Sequence, residues 1–214
     1  MRRSTALRAR TATEELFSSE RVRVLVETAS DADYRDGSLW YLRAHDHALD
    51  LSERYGLTVR QASGIIAALS PQIGWEQNLV IADDFTASGG TASVHFSICT
   101  ERARAILDDP HADPLDILGG PKVRSFYRNI LNPTVPGPVT IDRHAAAILA
   151  GLPTPTYLRT YPKLLNRTAI YDLCAAAYRS AARALDLLPH EAQAIAWVRH
   201  RRDYAHLYAP IPGL

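Results

Sequence analysis

Apolar residues recur at three- and four-residue spacing along nearly the whole chain, in helix-length segments that each end at a cap or a breaker. Such a pattern leaves little chain for a sheet. Ser38 reads as the cap of a helix through Trp40, Leu42, Leu49 and Leu51 that stops near Gly56, where glycine supplies a left-handed C-terminal turn. Thr58 caps the next helix, and Gln61 three residues on completes a capping box, with Ser70-Pro71 as the stop. Further helices are predicted over 75–86, 100–107, 122–131, 142–150, 168–187 and 189–204, with one more near 13–29. Only 93–98 alternates polar and apolar residues, and one strand makes no sheet. The expected fold class is all-α.

The 214 residues, 47% of them hydrophobic, suffice for one compact domain or two lobes sharing a core. The longest apolar runs, 65–69 and 145–149, fall far short of the roughly 20 residues that span a bilayer, and no secretory apolar segment follows Met1. No membrane role is expected. Cys99 and Cys174 are too few for a disulfide scaffold or a four-cysteine metal site, so the expected setting is the reducing cytoplasm. His45-Asp46-His47 has metal-binding residue types, but positions i and i+2 of a helix do not converge, so neither a metal nor a cofactor is expected.

A net charge of +1 hides an asymmetry, because residues 1–118 carry 12 basic against 18 acidic side chains and 119–214 carry 12 against 5. An excess of that kind suits nucleic acid or the docking of one half on the other. Arginine supplies all the basic residues except Lys122 and Lys163. Arginine replaces lysine as a cation but cannot lose its proton to become an amine nucleophile, so both lysines are candidates for chemistry.

The densest chemistry lies in 116–147. Gly119-Gly120 makes a tight turn that opens a helix at Pro121 and Lys122, where free N–H groups and the helix dipole form an anion site. Lys122, Arg124 and Arg128 add positive charge. Twenty residues after Lys122, Val139-Thr140-Ile141 leads into Asp142 at the start of another helix. Taken alone, Asp142 is a helix N-cap and Lys122 a phosphate contact.

Leu118-Gly119-Gly120-Pro121-Lys122 followed by Ile141-Asp142-Arg143-His144 resembles the helix-hairpin-helix DNA glycosylase superfamily, whose pattern is L-P-G-V-G-x-K and then V-D-T-H. Leu69-Ser70-Pro71-Gln72, with Asn78 and Ala82 following, is similar to the family's upstream L-L-S-x-Q and N-x-A. The resemblance covers 58–150 and implies a two-lobed α fold. It divides the chain into a basic arm at 1–12, a hairpin lobe at about 57–132, and a second lobe at about 13–56 plus 139–214. It also implies that DNA is the partner and that a modified or damaged base is flipped out of the stack. Asp142 would then stabilise the cationic sugar as the N-glycosidic bond breaks, and Lys122 would attack C1′ as a Schiff-base amine. Gln72 would fill the gap left by the base, and Asn78, Gly119, Gly120, Arg124, Arg128 and Arg143 would contact DNA.

The hairpin departs from the family by being two residues shorter before the lysine, and the C-terminal cysteine cluster of the iron–sulfur members is absent. An atypical phage branch, which hypermodifies thymine, is similar in 67–78, 120–130 and 139–144. That similarity implies an alternative: a transferase in a phage-infected cell joining an amine or amino-acid donor to a pyrophosphorylated hydroxymethyluracil. A non-catalytic hairpin module that only grips DNA is the third alternative.

Overall fold

The computed structural model describes residues 16–92 and 96–207, and among these it contains α-helices, two short 3-10 turns and no strand. The basic arm at 1–12 lies outside the described residues, as do 93–95 of the alternating stretch. Of the rest, Phe96 is extended and precedes α6, which already begins at Ser97.

The chain divides into two compact units, one made of 1–40 and 139–214 and the other of 41–138. The first unit contains α1 (Ser19–Glu27), α2 (Asp31–Ser38), α9 (Arg143–Ala150), α10 (Thr154–Thr160), α11 (Thr168–Ala184) and α12 (Pro189–Asp203). The second contains α3 (Trp40–Tyr55) from Tyr41 onward, α4 (Val59–Leu69), α5 (Trp75–Ala87), α6 (Ser97–Asp108), α7 (Pro114–Ile117) and α8 (Pro121–Leu131).

Each unit is built around one small-residue helix. In the second unit every residue of α4 from Gln61 to Leu69 is buried, and α5, α6, α7 and α8 pack around it. A helix apolar on all sides has to be enclosed, and Ala62, Gly64, Ala67 and Ala68 keep it thin enough for its neighbours to approach. The predicted Thr58–Gln61 capping box starts it: Gln61 N donates to Thr58 Oγ1 at 3.1 Å, and Thr58 N to Gln61 Oε1 at 3.1 Å. In the first unit the same place belongs to α9, buried from Ala145 to Ala150 and packed by α1, α10, α11 and α12. The two apolar runs too short to cross a membrane are thus the central helices. No helix among the described residues is long and apolar enough to span one.

Two expectations are corrected. Ser38 caps no helix, because it is the last residue of α2, an eight-residue helix of mostly polar sequence. Packing on α12 holds α2 in place: Asp33 is fully buried and pairs with Arg202 at 2.8 Å, and Gly37 lies against the Ile195 backbone. The boundary at residue 56 also moves, since α3 from Tyr41 belongs to the hairpin unit. There His45 Nδ1 bonds the Ile130 carbonyl at 2.9 Å and Tyr41 packs edge-on to Phe126.

Candidate functional site

In the second unit, α7 and α8 are joined by Leu118, Gly119 and Gly120. Asp113 caps the short α7 by accepting from Leu115 N at 2.9 Å, and buried Leu118 anchors the turn. The two glycines differ: only Gly120 is demanded by the backbone, while Gly119 leaves room for the movable end of Arg102. A Cβ on Gly119 would lie 2.6 Å from the Arg102 guanidinium carbon, so that side chain covers the turn. Gly120 has φ 73° and ψ 150°, a region essentially closed to residues with a Cβ. No side chain caps α8, so the amides at its start have neither an intrahelical nor a side-chain partner. These free amides are the local arrangement that the two-glycine turn predicts.

The hairpin cations differ in their commitments. Arg124 donates through Nε to the Leu115 carbonyl at 3.0 Å, and through Nη2 to the same oxygen, so it ties α7 to α8. Lys122 is half-buried and Arg128 is exposed. The second unit as a whole is acidic, with 8 basic and 11 acidic side chains in 41–138. The surplus positive charge of 119–214 therefore does not gather around the hairpin.

Gln72 is exposed in the turn between α4 and α5 and has φ 66°, one of two left-handed non-glycine residues among those described. Strain of that kind persists only where the surroundings impose it. Beside it, Trp75 packs edge-on to Phe126 of α8 at 6.2 Å and to exposed His47 at 6.0 Å, which couples this turn to the hairpin helix. His45 and His47 therefore have separate partners.

Asn78 is not a DNA contact. It is 1% exposed, and its Nδ2 donates 3.1 Å to the Ile66 carbonyl. The last turn of α4 tightens, with Ser70 N bonding Ala67 O, and Asn78 serves the carbonyl left over.

In the first unit Asp142 is half-buried and caps α9, its Oδ1 accepting from Ala145 N at 2.8 Å. Tyr171 clasps the segment before it, donating to Val139 O at 2.9 Å and accepting from Ile141 N at 3.3 Å. Arg143, next in sequence, is exposed. Asp142 also acts electrostatically on two buried groups of this unit. Burial and the Asp142 charge both push the Tyr178 hydroxyl well above its ordinary range, while Tyr178 donates to Ala145 O at 3.1 Å. The His200 imidazole is held down to about 4 by burial and by nearby His144, with Asp142 opposing. His144 itself bonds Thr154 Oγ1 through Nδ1 at 2.9 Å.

His200 and Tyr178 were not among the residues singled out in the sequence. They lie on α12 and α11, and only tertiary packing brings them within reach of Asp142. Among the described residues no group of His, Cys, Asp or Glu could hold a metal ion. Both cysteines are buried free thiols, and burial raises that of Cys174 to about 12.

One family model matches residues 5–204, described as a family of unknown function, DUF7178. The chain belongs to the DUF7178 family. No curated protein and no solved structure matches it. For this DUF7178 protein the candidate residues therefore rest on their geometry and on the resemblance of their motifs.

Proposed function

We propose that this protein is a DNA-acting enzyme that flips a modified or damaged base and breaks its N-glycosidic bond, with Asp142 as the working carboxylate. The backbone of Gly120 carries this reading, because φ 73° with an uncapped α8 behind it is the arrangement a phosphate-gripping hairpin needs. Gln72 supports it as an exposed, strained side chain suited to fill the gap left by a flipped base. Asp142 supports it as a carboxylate fixed by its cap bond, positioned without rearrangement to stabilise a cationic sugar. Lys122 is assigned the amine that attacks C1′. Because 41–138 is net acidic, binding depends on a few local donors, so its salt dependence is shallow, set by the small number of phosphates that cations neutralise.

The test is mass spectrometry of nucleosides after incubating wild type and Asp142→Asn with DNA carrying damaged and hypermodified bases, with and without amine donors. Free base released by wild type alone is the expected result. A mass shift on an intact nucleoside would establish the transferase instead. Identical profiles from the two proteins would remove Asp142 from catalysis and leave a DNA-gripping module. Borohydride trapping in wild type but not in Lys122→Gln checks the Schiff base separately.

A further inference from the structure

A surface cavity of about 460 Å³ lies wholly within the second unit, lined by the start of α7, the C-terminal half of α8 and the loop that follows it. We propose that it binds a compact phosphate-bearing small molecule. Arg60, Tyr127, Arg128 and Asn132 provide its polar wall, and the loop ending in Pro136, Gly137 and Pro138 closes the other side. Arg60 is fixed in place, its Nη2 donating 2.8 Å to the Ala112 carbonyl. Burial holds the Tyr127 phenol above its ordinary range, with the Asp113 charge adding to the shift and the nearby Arg60 and Arg128 charges opposing it.

The cavity has more positive charge than its protein partners use. Among the described residues neither Arg60 nor Arg128 forms an ion pair with a carboxylate. Asp113, the one acidic residue lining the cavity, uses Oδ1 to accept from Leu115 N. The Arg128 fork, the remaining donors of Arg60 and the Tyr127 phenol present more donors than the two oxygens of a carboxylate absorb, whereas phosphate offers more acceptors and matches the fork geometry. Pro136 and Pro138 carry no N–H, so most of the donors come from these side chains. A concave site of this volume suits a small molecule, while a DNA backbone phosphate is met on an open surface. Arg128, a DNA contact by motif resemblance, is thereby reassigned, and the proposal stands whether or not the protein acts on bases.

The test is calorimetric titration of the full chain with inorganic phosphate at low chloride. Saturable one-to-one binding is expected, weakened at least about tenfold in Arg128→Gln and again in Arg60→Gln, with Arg183→Gln unchanged. Arg128 is exposed, so its variant keeps the fold even where loss of the Arg60–Ala112 bond disturbs the other. Malonate is expected to bind more weakly than phosphate, and a short DNA duplex is expected not to displace it. No saturable binding, an unchanged affinity in Arg128→Gln, tighter binding of malonate, or displacement by the duplex would each overturn the proposal.

Discussion

Replacing Gly37 by alanine tests the close crossing of α2 and α12. A Cβ at Gly37 would lie 2.6 Å from Ile195 N and 2.8 Å from Ile195 Cγ1 on α12. Carbon atoms in contact settle near 3.5–4.0 Å, so α2 has to lift off α12 by about 1 Å. Most of the obstruction is backbone, which cannot swing away. Overpacking of this kind costs about 1–3 kcal/mol. The upper end applies here, because lifting α2 also stretches the 2.8 Å pair between Arg202 and fully buried Asp33.

For a chain of this length, about 3 kcal/mol lowers Tm by roughly 6–12 °C, measured by calorimetry or by circular dichroism at 222 nm. Gly56→Ala is the comparison, since its φ of 67° brings strain of about 1 kcal/mol with no atom within 4 Å of the added Cβ. The sign is decisive. With no steric conflict, alanine inside a helix is more stable than glycine by up to about 1 kcal/mol. A rise in Tm for Gly37→Ala, or a fall no larger than that of Gly56→Ala, would refute the close crossing.

The His200 imidazole is held down to about 4, against an ordinary value of 6.5, so below pH 6.5 the unfolded chain takes up a proton that the folded chain does not. Stability should therefore fall as pH drops from 6.5 towards 4, and urea titrations across that range should show a flatter slope in His200→Gln. Asp142→Asn keeps an oxygen to cap α9 and should leave Tm within about 1 °C of wild type, whereas Asp142→Ala loses the cap and about 1 kcal/mol. A large loss of Tm in the asparagine variant would show that the charge serves the fold. Gly120→Ala forces a Cβ into φ 73°, ψ 150°, at about 1–3 kcal/mol. Duplex affinity, read by fluorescence anisotropy, should fall in that variant by more than the salt-matched wild type varies between preparations. Gln72→Gly should relieve left-handed strain, leaving Tm unchanged or raised while base flipping, followed with 2-aminopurine, declines.

Local rules reached several features unaided. The Thr58–Gln61 box, the Asp142 cap and the start of α5 at Trp75 depend on residues within a few positions of each other, and the structure contains all three. The Gly119-Gly120 turn was legible for the same reason. The DNA role for Asn78 came from motif resemblance, whereas its polar side chain satisfies the backbone near the Ser70-Pro71 break, on a carbonyl twelve residues earlier that motif spacing does not single out. α10 is absent from the helices predicted above, although Pro155 falls in its first turn, where proline is well suited.

Sequence by itself determined the all-α class, the caps and the two apolar runs, because helix periodicity, capping and burial tendency are properties of near neighbours. Only the tertiary structure decided that those runs are the central helices of two units and that α3 belongs with the hairpin. It alone formed α2 out of polar residues, drew His200 and Tyr178 into the electrostatic reach of Asp142, and gathered Arg60 and Arg128 around one cavity. Those outcomes join residues tens of positions apart, and such pairs carry no local signal. Buried charge, backbone contact and shared walls exist only once the helices have packed.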